Sequence, residues 1–174
     1  TPEARQQIKQ DLKLTEILDT ALTSFCWLQI GGRGNCKYTP GISVLTPDSL
    51  LLVNYEKNTY VQKDILKTED VKCISDGDGQ NFYVFKENLA VSLIPYTEVH
   101  RSPLVNNPEY RAKAIKMLLS NGQPYLTGEA ATITRETGRK EYGVNTVYAA
   151  SGPIPIVVGT EVREIISPCP AGIH

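Results

Sequence analysis

The chain has 174 residues and a formal net charge of −1, with 41% hydrophobic and 21% charged side chains. This length suits one globular domain with its own core, and the composition excludes wholesale disorder. Balanced charge without a basic cluster argues against a nucleic-acid binder, and apolar runs such as 50–53 and 154–158 are too short to span a bilayer.

The first predicted element is a helix over about residues 2–24. Thr1, Pro2 and Glu3 form a typical helix start, with a capping hydroxyl, a proline and an acid in the first turn. Apolar side chains then recur at spacings of three and four as far as Phe25. We expect this amphipathic helix to pack on a sheet, and docking on a partner is the alternative.

Two hairpins are predicted after it. Residues 42–45 and 50–55 flank a proline-led turn at 46–49, and residues 71–75 and 81–85 flank the Asp-Gly-Asp-Gly-Gln segment at 76–80. Strands joined by turns this tight can only be antiparallel.

A second helix is predicted over about residues 108–120, because Asn107-Pro108-Glu109 repeats the start signal and Asn121-Gly122 is a stop signal. Four β-branched runs follow, at 130–135, 144–149, 154–158 and 161–166. A turn is expected at 137–140, between the first two of these runs. The expected fold class is α+β, with antiparallel β-hairpins packed with two main helices in a single domain, 1–174. A seam between two lobes is possible near 101–107.

The four cysteines are Cys26, Cys36, Cys73 and Cys169. They contain no Cys-x-x-Cys pair, which disfavours zinc, and an even count suits two disulfides. Three connectivities are open; we favour Cys26–Cys36 and Cys73–Cys169. Disulfides place a protein in a periplasm, an envelope or outside the cell, whereas four free thiols would place it in the cytosol.

A calcium loop is one interpretation of the segment that starts at Asp76. Asp78 and Glu87 fall at the third and twelfth positions of such a loop. Gln80 and Asn81 depart from the pattern, the second because glycine is required there. Asp-Gly pairs are also typical of hairpin turns, so we prefer a plain turn and predict no metal and no cofactor.

Glu98, His100 and Ser102 alternate and would share one face of an extended segment. A carboxylate that orients a histidine beside a hydroxyl is the arrangement of nucleophilic catalysis. Members of such a triad normally come from separate elements, so these are weak catalytic candidates. The glycine-rich run at 31–34 is a further candidate, as a cradle for an anion beside Arg33, with a disulfide-closed surface loop as the preferred interpretation.

One short resemblance concerns residues 26–55. Cys26-Trp27-Leu28, Cys36, a β-branched strand, Pro47-Asp48 and Tyr55 resemble the N-terminal region of TraU-like proteins of conjugative elements. The resemblance implies a non-enzymatic, disulfide-rich envelope component of type IV secretion.

The predicted function is therefore that of a non-enzymatic extracytoplasmic protein that binds or assembles with protein partners, without nucleic acid and without a transmembrane segment. It rests on the cysteines, on strand edges available for pairing and on the lack of a convincing acid–base pair. The alternatives are a small secreted hydrolase that uses His100 with Glu98 or Ser102, and a cytosolic domain with free thiols.

Overall fold

The computed structural model describes residues 1–97 and 105–171. It is mostly β-sheet, with 54% of residues in strands and 17% in helices, so the expected α+β packing of two main helices is wrong. The two α-helices are short, and one large mixed sheet carries the body. The possible seam at 101–107 lies partly outside the described residues.

The element bounds are these: α1 Pro2–Asp11, β1 Asp19–Gln29, β2 Thr39–Leu45, β3 Ser49–Glu56, β4 Thr59–Lys67, β5 Cys73–Asp76, β6 Phe82–Phe85, β7 Leu89–Thr97, β8 Val105–Asn106, α2 Pro108–Leu118, β9 Tyr125–Thr127, β10 Thr134–Ala149 and β11 Gly152–Ile165. Short 3-10 turns lie at Thr68–Asp70 and Gly128–Ala131.

The predicted first helix ends halfway along its expected range. α1 stops at Asp11, and Lys13 takes a positive φ of 55° that breaks the helical path. From Asp19 the chain is strand β1, in which Ala21 and Phe25 are buried while Leu22 is exposed. Residues four apart share a face in a helix and also in a strand, so the apolar spacing fitted both structures.

The large sheet runs in the order β4-β3-β2-β1-β7-β6-β5-β9, with β8 paired to β7. β1 is its centre, since it pairs with β2 on one side and β7 on the other. All pairs in this sheet are antiparallel except β5 with β9, which is parallel. Tight turns can join only antiparallel strands, whereas the connection from β5 to β9 is long and includes α2, so this pair can be parallel.

Both faces of β3 are covered, which explains its continuous apolar run. Leu50 and Leu52 lie in the core cluster beneath α2, whereas Leu51 and Val53 pack with Ile8 of α1. α2 begins as predicted, with the Asn107 side chain accepting a hydrogen bond from the Tyr110 N–H. Tyr110, Ala114 and Leu118 form its buried face.

β10 and β11 form a separate two-stranded sheet. The predicted turn at 137–140 is wrong: the register shifts between Glu136 and Lys140, and β10 continues beyond. Gly138, at φ +71°, accommodates this β-bulge rather than a chain reversal. The actual reversal is the two-residue turn between Ala149 and Gly152.

Two disulfides close the chain on itself. Cys26–Cys36 spans 10 residues and Cys73–Cys169 spans 96, and these are the two pairs that the sequence analysis favours. Cys73 and Cys169 belong to a third core cluster with Leu28, Ile133 and Ile165, beneath the base of the β10–β11 hairpin.

Removing the two disulfides separately should reveal their different loop lengths. Chain-entropy arguments assign about 2.7 kcal/mol to a loop of 10 residues and about 4.7 kcal/mol to one of 96. We expect Cys73→Ala/Cys169→Ala to lower the free energy of unfolding in urea by more than Cys26→Ala/Cys36→Ala does. The reverse order, or a free thiol at any of the four positions in non-reducing peptide mapping, would contradict the pairing.

Candidate functional site

The catalytic candidates cannot be placed, since Glu98, His100 and Ser102 lie outside the described residues. The hydrolase interpretation therefore remains a prediction from the sequence.

The calcium candidates are separated by the structure. Asp76 is the last residue of β5 and Asp78 lies in the turn before β6, while Glu87 lies exposed in the turn after β6. β6 lies between Glu87 and the two aspartates, and a four-residue strand spans roughly 13 Å. Asp78 accepts hydrogen bonds from the N–H groups of Gln80 and Asn81, as expected of a hairpin turn. Within residues 1–97 and 105–171, no group of three or more His, Cys, Asp or Glu side chains is arranged to hold a metal ion.

Asp76 instead forms a buried ion pair. Its carboxylate contacts the Arg111 guanidinium and accepts hydrogen bonds from the Tyr125 hydroxyl and the Gly79 N–H. Arg111, from α2, also lies 5.6 Å from the centre of the Phe82 ring. Burial acts to raise the pKa of Asp76, but the Tyr125 hydroxyl and the Arg111 charge outweigh it, so the pKa is lowered. The pair joins β5, α2 and β9 and has a structural role.

Asp76→Asn should destabilise the fold in a pH-dependent way. Breaking a buried pair and leaving Arg111 uncompensated costs about 3–5 kcal/mol near neutral pH. A lowered folded-state pKa means that this stabilisation is present above the unfolded value of about 3.9 and is lost as pH falls through the folded value. The difference in free energy of unfolding between wild type and Asp76→Asn should therefore shrink below about pH 4.

Asp78→Asn is the matched control, because Asp78 lies two residues away and is exposed in the adjoining turn. It should change the free energy of unfolding by less than about 1 kcal/mol at neutral pH. A penalty for Asp76→Asn that is the same at pH 7 and pH 3 would contradict the assigned role of the ionised carboxylate.

Calcium should leave the melting temperature unchanged at millimolar concentration. Asp76 already binds a guanidinium, and Glu87 is at the far end of β6. A calcium-dependent rise in melting temperature that scales with the logarithm of free ion would contradict this. Magnesium at equal ionic strength controls for general salt effects.

The glycine-rich loop does not offer its N–H groups to an anion. Gly31 and Gly34 donate to the carbonyls of Ile165 and Arg163 in β11, at 2.8 and 2.9 Å, and Ile165 donates back to Gly32 at 2.8 Å. The loop thus lies along the base of β11 as a short extra strand. A Cβ atom at Gly34 would lie 3.3 Å from side-chain atoms of Arg163 and Thr134, so glycine allows a closer approach than a larger residue would.

Charged residues surround the base of the hairpin. Arg33 of the glycine loop contacts Glu141 at 2.6 Å, and Arg135 contacts Glu164 at 2.7 Å. Arg163 and Glu136 form a looser pair at 3.6 Å. These exposed pairs each contribute little to stability, but together they place a charged belt between the body and the outer hairpin.

Beyond this belt the hairpin is uncharged. We call residues 142–160 the arm; they contain no Asp, Glu, Lys, Arg or His. Strand register places Tyr142, Val144 and Tyr148 on one face with Val157, and the opposite face is also apolar. Its exposed large apolar side chains are Tyr142, Val144, Val147, Tyr148, Ile154, Ile156, Val157 and Val158.

An exposed apolar surface of this size normally marks a binding site. The sequence analysis recognised the strands of the arm but missed the arm as a site. The usable signal was the run without charge at 142–160, since surface hairpins normally carry charged residues on at least one face.

Comparisons with other proteins do not identify a family. No protein-family model matches the chain, and no match was found among curated proteins. The resemblance in residues 26–55 therefore gains no support from them.

Several solved structures are weakly similar to the chain. The C-terminal domain of an unknown protein from Leishmania infantum is 13% identical, with a TM-score of 0.45 over 68% of this chain and 97% of that one. A structure of Vav1 titled for the role of its PH and C1 domains is 11% identical, with a TM-score of 0.45 over 96% of this chain and 47% of that one. Autoinhibited Vav1 is 11% identical, with a TM-score of 0.43 over 88% of this chain and 30% of that one. The chain thus spans less than half of either Vav1 chain, and likeness at this level implies no function.

Proposed function

We propose that this protein is a non-enzymatic binding or assembly module that works outside the cytoplasm and engages a protein partner through its arm. The observation that carries the proposal is the uncharged arm, with both faces apolar and exposed. Leaving Tyr148 at 82% and Tyr142 at 71% exposure is unfavourable unless a partner covers them. Aromatic residues are also the side chains enriched at protein interfaces.

A protein surface suits the arm better than lipid does. The arm is an open two-stranded sheet, and its outer strand edges carry unpaired backbone N–H and C=O groups. Such groups have no partners in hydrocarbon, whereas a protein can supply them by adding a strand. The belt at its base also carries acids and bases in similar number, which gives no attraction to anionic lipid.

The compartment is inferred from the cysteines. All four are in disulfides, and disulfides persist in oxidising compartments. This weighs against the cytosolic alternative with free thiols. Among the described residues, neither helix has the length and apolar character needed to cross a membrane.

Site-specific photo-crosslinking in the cells that produce the protein tests the proposal. A photoreactive phenylalanine analogue at Tyr148 should form covalent protein adducts, because this is the more exposed of the two tyrosines of the arm. The same analogue at Tyr55, which is 54% exposed on the body, is the control and should form few. No adduct at position 148, or equal adducts at both positions, would contradict a binding role for the arm.

A further inference from the structure

The two edges of the arm differ in how they are protected. The edge of β11 is covered at its base by the glycine loop, and near the tip it carries Pro153 and Pro155. Proline has no N–H and blocks the addition of a strand on that side. The edge of β10 has neither protection: within the described residues β10 pairs only with β11, and residues 142–148 contain no proline and no charge.

The prolines also indicate which groups of β10 point outward. Tyr148 is opposite Pro153 and Thr146 is opposite Pro155. A pair with proline is of the non-hydrogen-bonded kind, in which the N–H and C=O groups face away from the partner strand. Strand alternation extends this to Val144 and Tyr142, so these four residues present their backbone groups at the free edge of β10.

The free edge is complementary to itself. In an antiparallel pairing of β10 with a second copy, centred on Asn145, Tyr142 is opposite Tyr148 and Val144 is opposite Thr146. Gly143 is opposite Val147. The outward-pointing residues thus meet one another, aromatic and β-branched side chains pair across the strands, and no charge opposes a like charge.

We propose that two copies of this chain associate through the β10 edges of their arms, joining the two hairpins into one four-stranded antiparallel sheet about a two-fold axis at Asn145. The inference rests on the proposed function, because it names the partner of the arm. A two-fold contact of this kind uses the same patch on both copies and closes at two.

The geometry leaves room for the two bodies. With Asn145 on the axis, the tip of one arm reaches only Lys140 and Glu141 of the other copy, and the tip residues Ala149, Ala150 and Ser151 are small and neutral. The bodies therefore lie at opposite ends of the joined sheet, clear of each other's core.

The surface available is that of a reversible dimer. Edge pairing covers the backbone of β10 and the flanks of Tyr142 and Tyr148, while both faces of the joined sheet stay open to solvent. Specific interfaces bury about 1,200–2,000 Å² in total. Of the exposed valines only Val144, which is 68% exposed, lies on the pairing strand, so we expect an area below that range, typical of a weak, reversible association.

Sedimentation velocity over a concentration series tests the association. The wild type should show a monomer–dimer equilibrium, and Val144→Lys should weaken it by roughly tenfold or more, because a lysine on an edge strand opposes strand pairing. Val157→Lys is the matched control, since it adds the same charge on the same face at similar exposure but on the blocked strand. It should weaken the dimer much less. Equal loss in both variants would indicate stacking of faces and would overturn the edge pairing.

Introduced cysteines test the register. Two Asn145→Cys chains meet on the axis in a non-hydrogen-bonded pair, with Cα atoms about 4.5 Å apart, which suits a disulfide. Since the four native cysteines are paired, Asn145→Cys should form a covalent dimer under mild oxidation. Val147→Cys, on the same face, should not, because its copies would lie roughly 14 Å apart. Equal dimer formation by both variants would overturn the register.

Other outcomes separate this inference from the proposed function. A wild type that is monomeric at all concentrations, together with Tyr148 adducts to a different protein, overturns the self-association and leaves the binding role intact. Monomeric behaviour without any Tyr148 adduct overturns both. Flotation with phosphatidylcholine–phosphatidylserine vesicles that requires the arm would assign it to lipid and overturn the pairing between copies.

Discussion

The backbone hydrogen bonds between the glycine-rich loop and β11 determine where the arm leaves the body. Gly31, Gly32 and Gly34 bond to Ile165 and Arg163, and the Cys26–Cys36 disulfide closes this loop. Beneath them Ile133 and Ile165 pack in the core cluster that contains Cys73. Backbone bonds, a disulfide and apolar packing thus hold the base of the hairpin, whereas the large apolar side chains of its outer part are exposed. A two-stranded hairpin on its own is only marginally stable in water, so this anchoring makes a projecting arm possible.

Two groups of the body that local patterns assign to ligands have structural partners instead, which directs attention to the arm. Asp76, which a sequence pattern places in a calcium loop, is neutralised by Arg111. The N–H groups of the glycine loop, which could cradle an anion, bond to β11. In both cases residues distant in sequence supply the partner and remove the ligand-binding capacity that the local pattern indicated. The apolar surface of the arm, in contrast, has no partner within the described part of the chain.

Capping and turn residues in the sequence correctly predicted the elements that depend only on residues adjacent in the chain. The Asn107 cap with Pro108 predicted the start of α2, and Pro47-Asp48 predicted the β2–β3 turn, because capping and turn geometry involve only adjacent residues. The first helix was overextended because Ala21 and Phe25, four residues apart, lie on one face in either type of structure. Gly138 was assigned to a turn because a positive φ serves a turn and a bulge equally well.

By itself the sequence determined the start of each helix, the hairpin turns in the body and an even number of cysteines that suits two disulfides. Each follows from short-range geometry or from the chemistry of one residue type. Only the tertiary structure decided that Asp76 meets Arg111 and that the run without charge at 142–160 projects from the body instead of entering its core. An apolar strand has the same local sequence pattern whether it lies in a core or in a projecting hairpin, and its exposure depends on whether another element packs on it. Here β10 and β11 form a sheet of their own, and their apolar side chains between 142 and 158 stay exposed.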